Sequence, residues 1–106
     1  VQTGLNFHSM VASSKGAIEG LSRALAAEFA PSIRVNCIAP SLTDTPLAAS
    51  LLNTEEKKLA NAQRHPLKRI GSAEDISNLA CFLLSDKSAW MTGQILHLDG
   101  GMSVLK

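Results

Sequence analysis

The chain has 106 residues, of which 45% are hydrophobic and 18% are charged, and its formal net charge is +1. This length allows at most one small domain, and the composition is that of a globular segment with a real core. The weak charge predicts no nucleic-acid partner, and the lack of an apolar run of about 18 residues predicts no membrane span. Cys37 and Cys81 lie in apolar runs, so we expect buried free thiols in a cytoplasmic protein.

The first two elements form a helix followed by a strand. Apolar residues recur every three or four positions from Ser9 to Ala30, which predicts a long helix that Pro31 ends. The segment Ile33–Ala39 alternates and then becomes fully apolar before Pro40, as a strand buried on both faces does. A helix, a tight turn and a buried strand are half of a βαβ unit.

A polar loop and a second helix follow. The loop Pro40–Pro46 is rich in turn-forming residues and leaves the carboxyl end of the strand, where open α/β sheets bind ligands. A polar helix is predicted over Asn53–Arg64, and Asn53 with Glu56 resembles a capping box. Its many charged residues predict a solvent-facing lid.

The last part of the chain is predicted to hold a third helix and a second buried strand. The helix opens at Gly71–Asp75 with Ser72 as its N-cap. Its buried stripe is expected to contain Ile76, Leu79, Ala80 and Leu83. The strand covers Gln94–Leu98, and Asp99–Gly101 ends it with a turn that needs positive φ.

Three helices and two strands make an incomplete α/β fold. Two parallel strands leave hydrophobic sheet edges uncovered, so the chain is expected to need further strands or a partner chain. An autonomous interaction module would meet this need only by oligomerising. The chain also begins at Val1 without a methionine, which fits a truncated, cleaved or trimmed product, although processing alone explains it equally. The uncovered strands favour the interpretation that the chain is the C-terminal portion of a doubly wound parallel sheet.

Six motifs, in this order and spacing, resemble the C-terminal half of the short-chain dehydrogenase/reductase family. They are Ala12–Ala17 (ASSKGA), Leu25–Glu28 (LAAE), Ile33–Pro40 (IRVNCIAP), Thr45–Pro46 (TP), Arg69–Ile76 (RIGSAEDI) and Thr92–Gly101 (TGQILHLDGG). The resemblance implies that residues 1–106 are the C-terminal part of one NAD(P)-binding Rossmann-type domain whose N-terminal dinucleotide-binding half is absent. It also implies NAD or NADP as cofactor, a small carbonyl or alcohol substrate, and a homo-oligomer (dimer or tetramer).

The family has a Tyr-x-x-x-Lys pair at the start of this helix, and only half of the pair is present. Lys15 matches the lysine, which in the family binds the nicotinamide ribose and lowers the pKa of the tyrosine. Val11 stands in the tyrosine position, and the chain has no tyrosine at all. Valine has no ionisable group and cannot transfer a proton. His8, seven residues before Lys15, is the candidate replacement, although a polar residue near the helix start is the simpler interpretation.

The loop after the first strand matches the family's cofactor-binding loop. The resemblance assigns cofactor contacts to Pro40, Ser41, Leu42, Thr43 and Thr45. Thr43 matches the position that faces the nicotinamide carboxamide, and Ser41 replaces a glycine of the family pattern.

Three further residues are predicted to be structural. His65 is interpreted as a helix-end residue, His97 as a sheet histidine with satisfied hydrogen bonds, and Trp90 as part of the core or a subunit interface. Two functions remain open. The first is an NAD(P)-dependent oxidoreductase whose isolated C-terminal fragment is inactive. The second is a non-catalytic relative that senses a cofactor or supports an assembly.

Overall fold

The computed structural model describes the backbone of residues 5–105 and the side chains of Met10 and residues 13–105. The chain divides into two compact units. The first contains Val1–Cys37 and Trp90–Ile95, and the second contains Ile38–Ala89 and Leu96–Lys106.

The first unit is built on α1, Leu5–Phe29, which begins four residues before the predicted start. The helix ends one residue early, at the turn that contains Pro31, because proline has no N–H to continue the ladder. Its apolar stripe is largely uncovered, since the side chains of Ile18 and Leu21 are 56% and 57% exposed. Ala26 is buried, and a Cβ on Gly93 would lie 3.6 Å from its methyl group.

Polar side chains hold the segment after α1 to the segment after Trp90. Arg34 and Asn36 both donate to the carbonyl oxygen of Met91, each at 3.2 Å. The backbone N–H of Val35 donates to Oγ1 of Thr92 at 3.0 Å. One backbone bond, from the N–H of Gly93 to the carbonyl of Val35 at 2.7 Å, also joins these segments. The regular strand nevertheless begins only at Cys37, so the prediction that it starts at Ile33 is wrong.

The main sheet pairs β1 with β4, which run Cys37–Pro40 and Ile95–Leu98. The N–H of Cys37 donates to Gln94, and the N–H of Ser41 donates to Leu98. Between these two bonds each strand advances by four residues in the same direction, so the strands are parallel. Both strands are mainly half-buried, which corrects the prediction that they are buried on both faces.

The second unit contains two very short strands and the remaining helices. In chain order they are β2 (Thr43–Asp44), a 3₁₀ helix (Pro46–Leu51), α2 (Glu55–Gln63), β3 (Gly71–Ser72), α3 (Ala73–Leu83) and a second 3₁₀ helix (Asp86–Ser88). Strands β2 and β3 are parallel, with Thr43 opposite Gly71 and Asp44 opposite Ser72. The segment predicted as an open loop therefore contains a paired strand and is fixed at its centre.

The helix caps test the local sequence signals directly. The N-cap of α2 is Thr54, whose hydroxyl accepts from the N–H of Lys57 at 3.1 Å, so the prediction of Asn53 is wrong by one residue. The N-cap of α3 is Ser72, as predicted, and it forms a capping box with Asp75. Of the predicted stripe on α3, only Leu83 is buried, and the other three are half-buried.

Several side chains expected to be interior are exposed. Cys37 is half-buried and Cys81 is exposed, so the prediction of two buried thiols is wrong, although both are free of disulfides. Trp90 is 100% exposed, which excludes a place in the core of the described residues. His97 is exposed on β4. No described helix combines the length and apolar character that a membrane crossing requires.

Candidate functional site

The second unit carries a cleft at the carboxyl ends of β1 and β4. Its walls come from the loop after β1, the segment after α2, the start of α3 and the turn after β4. They are lined by Ser41, Leu42, Thr43, His65, Leu67, Arg69, Ile70, Gly71, Ser72, Asp75, Ile76, Leu98, Asp99 and Gly100. The location agrees with the general rule that ligands bind at the carboxyl edge of parallel strands.

Backbone bonds and one close approach fix the loop that forms the first wall. The N–H of Gly71 donates to the carbonyl of Leu42 at 3.0 Å, and the hydroxyl of Thr43 donates to the carbonyl of Ser41 at 3.0 Å. A Cβ on Gly71 would lie only 3.1 Å from Oγ1 of Thr43. The space beside Gly71 is therefore tight where β3 passes the loop.

A serine and a buried histidine join two walls of the cleft. Oγ of Ser41 lies 3.0 Å from Nε2 of His65, and Nδ1 of His65 lies 2.8 Å from the carbonyl oxygen of Asn61. His65 is only 3% exposed. Because a carbonyl can only accept, Nδ1 carries the proton, and a neutral ring then accepts the Ser41 proton at Nε2. The interpretation of His65 as a simple helix-end residue is therefore incomplete.

An ion pair closes the wall at the start of α3. Nη1 and Nη2 of Arg69 lie 2.7 and 3.1 Å from the two carboxylate oxygens of Asp75. The same carboxylate accepts from the N–H and the hydroxyl of Ser72. Arg69, followed by the bonds from Ser72, lowers the pKa of Asp75, and Asp75 in turn raises the pKa of Arg69.

The turn after β4 supplies the last wall and a second carboxylate. Asp99 accepts from the N–H groups of Gly101 and Ser103 at 2.9 and 3.2 Å. Its pKa is lowered, first by hydrogen bonding from the Ser103 side chain and then by these backbone donors. Gly100 and Gly101 have φ values of 62° and 90°, which confirms the predicted need for positive φ.

The described side chains suit the cleft to binding more than to proton transfer. Both carboxylates and the guanidinium already hold partners that form the walls, and the imidazole is engaged at both nitrogens. The lining surface is mainly apolar, and its first wall carries the hydroxyl groups of Ser41 and Thr43. Among residues whose side chains are described, no group of three His, Cys, Asp or Glu side chains is placed to hold a metal ion.

The predicted site residues fall in different parts of the molecule. Ser41, Leu42 and Thr43 line the cleft, whereas Pro40 and Thr45 flank the lining segment. Pro40 ends β1 and is exposed, and Thr45 is the N-cap residue of the first 3₁₀ helix.

The two catalytic candidates lie on α1, in the first unit. Lys15 is exposed. His8 and Val11 lie within the bounds of α1, but their side chains are outside the described residues.

Comparison with known proteins identifies the family. A family model described as enoyl-(acyl carrier protein) reductase matches residues 1–103. A tropinone reductase homolog of Arabidopsis thaliana is 41% identical over 97 residues, which are 91% of this chain and 37% of that protein. The chain belongs to the short-chain dehydrogenase/reductase family, and it spans well under half the length of the curated relatives it matches.

Solved structures give the same result for the fold. A C-terminal deletion mutant of aldohexose dehydrogenase from Thermoplasma acidophilum aligns with a TM-score of 0.83 and 33% identity, covering 89% of this chain and 45% of that one. A 4-hydroxyisoleucine dehydrogenase complexed with NADH aligns with a TM-score of 0.81 and 30% identity, covering 89% and 39%. The predicted α/β, Rossmann-type fold class is confirmed.

Proposed function

We propose that this chain is the cofactor-clasping C-terminal part of an NAD(P)-dependent oxidoreductase that interconverts a small carbonyl compound and its alcohol. The observation that carries the proposal is the loop 41–43, which is anchored by β3 and lines the cleft at the carboxyl edge of the sheet. A similar dehydrogenase has been solved with NADH, which supports a nicotinamide cofactor. In this proposal the loop binds the nicotinamide end, and the family resemblance assigns the ribose to Lys15.

The charges that line the cleft favour the nicotinamide end of the cofactor over its diphosphate. The lining contains two carboxylates, Asp75 and Asp99, and one guanidinium, Arg69. The guanidinium is already paired with Asp75. A diphosphate placed here would meet net negative charge, whereas a carboxamide can use the hydroxyl and backbone groups of the loop. When bound, the cofactor would supply the hydride. The residues of this chain would orient it and exclude water.

The supply of the proton distinguishes the two candidate functions. Val11 occupies the position of the family's tyrosine, and no tyrosine stands anywhere in the chain. An oxidoreductase therefore needs another acid, for which His8 or a group from elsewhere in the protein is proposed. The alternative is a non-catalytic relative that senses a cofactor or supports an assembly, and the absent phenol favours it.

Exposed apolar side chains support assembly as part of this proposal. Ile18 and Leu21 on α1 and the indole of Trp90 are all more than half exposed. Large exposed apolar groups of this kind mark surfaces that other protein covers. A cytoplasmic homo-oligomer, a dimer or a tetramer, remains the expected state.

The test uses the full-length gene product that contains this sequence. NADH and NADPH are titrated against it, and cofactor fluorescence is followed together with turnover of a panel of ketones, aldoses and secondary alcohols. Saturable binding with turnover supports the oxidoreductase, and loss of turnover in His8→Ala assigns the proton to His8. Saturable binding without any turnover supports the non-catalytic relative. Absence of binding contradicts the oxidoreductase and the cofactor-sensing relative, and leaves only a relative that supports an assembly.

A further inference from the structure

We propose that His65 is a positioning residue that holds Ser41, and with it the loop 41–43, in the conformation that lines the cleft. We call the hydrogen bond between the Ser41 hydroxyl and Nε2 of His65 the latch. The claim that the latch sets dinucleotide affinity rests on the proposed function, but the claim that it orders the loop does not.

The tautomer of the neutral ring follows from its two neighbours. The carbonyl of Asn61, 2.8 Å from Nδ1, requires a proton on that nitrogen. Nε2 of the neutral ring is then an acceptor, and the hydroxyl of Ser41 is its donor at 3.0 Å. The competing acceptor is Sδ of Met102, at 3.5 Å, and a thioether is the weaker acceptor.

The latch is important for the order of the loop because the ring of His65 is buried. The ring of His65 is 3% exposed, so water has little access to its nitrogens, and losing Ser41 would leave Nε2 buried without a partner. A Cβ placed on Gly100 would lie 3.6 Å from Cβ of His65, so the turn after β4 packs against the same residue. His65 is therefore itself held firmly enough to position another residue.

The latch completes the anchoring of the loop. The backbone N–H of Ser41 already donates to Leu98, and Leu42 accepts from Gly71. The latch adds a side-chain contact between these two backbone anchors and joins the loop to the segment that follows α2. A loop held in its binding conformation before the ligand arrives loses less entropy on binding.

The proposal gives a role to the departure at position 41. In the family pattern that this chain resembles, position 41 is a glycine. Glycine has no side chain and cannot form the latch. Ser41→Gly restores the family residue, yet we expect it to weaken dinucleotide binding in this protein. If serine were only a tolerated substitute for glycine, the same change would leave binding equal or improve it.

The test is a double-mutant cycle on the full-length gene product. Ser41→Ala and His65→Asn each remove the latch, and the asparagine amide can still donate toward Asn61. Each single variant is expected to raise the Kd for NADH or NADPH about three- to tenfold, and the double variant no further. Ser77→Ala, which removes an exposed hydroxyl that bonds only within α3, is the control and should leave the Kd unchanged.

A second readout separates the latch from the proposed function. In ¹⁵N NMR spectra of the imidazole rings, His65 is expected as the neutral tautomer protonated at Nδ1, with Nε2 shifted by Ser41→Ala. The urea unfolding midpoints of the same four proteins form a second cycle. If the wild type binds neither dinucleotide, the proposed function fails, and non-additive midpoints still support the latch. Additive midpoints, or an Nε2-protonated ring, overturn it.

Discussion

The carboxylate of Asp75 joins the capping box of α3 to the guanidinium of Arg69. It accepts two hydrogen bonds from Arg69, at 2.7 and 3.1 Å, and also accepts from the backbone N–H of Ser72 at 2.8 Å. One side chain therefore fixes the beginning of α3 and the segment that leads into β3. Both of these segments line the cleft.

The capping box is expected to stabilise the second unit measurably. Ser72→Ala removes the acceptor for the N–H of Asp75 and should lower the free energy of unfolding by about 1 kcal/mol. Asp75→Asn should destabilise more than Arg69→Ala, because Asp75 serves both the box and the ion pair. Urea unfolding measures all three. Ser77→Ala, which removes one exposed bond within α3, is the control. Equal stability of Ser72→Ala and the wild type would contradict this account of the cap.

Acid should destabilise the protein partly through Asp75. Its pKa is lower in the folded chain than in the unfolded chain, so the unfolded state binds the proton more readily. The stabilisation is present above the unfolded value, near pH 4, and is lost as pH falls toward the folded value. Asp75→Asn should flatten the fall in unfolding midpoint below about pH 5. An unchanged pH profile in Asp75→Asn would show that Asp75 does not contribute to it.

The close approach of β3 to the loop predicts a specific rescue. Gly71→Ala places a Cβ about 3.1 Å from Oγ1 of Thr43 and should cost about 1 to 2 kcal/mol of unfolding free energy. Thr43→Ala removes that oxygen, so the double variant should recover part of the loss. Thermal unfolding of the four proteins measures the coupling. If the two substitutions prove strictly additive, the contact is not the cause of the loss.

The missing phenol can be supplied at the position that the family pattern assigns to it. Val11→Tyr places a phenol four residues before Lys15, on the same face of α1. If the protein is an oxidoreductase lacking its usual acid, this variant should raise kcat by at least tenfold. Val11→Phe, which adds the ring without the hydroxyl, is the control. A gain in both variants would assign the effect to packing.

Short-range signals predicted the parts of the fold that depend on neighbouring residues. The cap at Ser72 and the turn at Gly100 and Gly101 were correct, because each depends on residues within three positions. The start of β1 was wrong because the partners of residues 34–36 are 55 to 58 residues away. Their bonds involve the side chains of Thr92 and Asn36, which a local alternation pattern does not reveal. The exposure of Cys81 and Trp90 was not predicted. An apolar sequence pattern does not show whether the same chain or another one covers the side chains.

The candidate site was half predictable for the same reason. The loop 41–43 was predicted by its position after a parallel strand and by the family pattern. The contact of Ser41 with His65 was missed because 24 residues separate the two, and neither has a local signal for the other. The serine in place of glycine and the histidine before Pro66 were the two available hints.

The most direct test of the central claim is a fluorescence titration of the full-length gene product with NADH and NADPH. The claim is that this protein binds a nicotinamide cofactor and that the loop 41–43 and Lys15 each contribute to its affinity. The account predicts saturable binding of at least one of the two, weakened about tenfold or more in Lys15→Met and less in Ser41→Ala. Wild-type protein that binds neither dinucleotide, or binding that Lys15→Met and Ser41→Ala both leave unchanged, would contradict it.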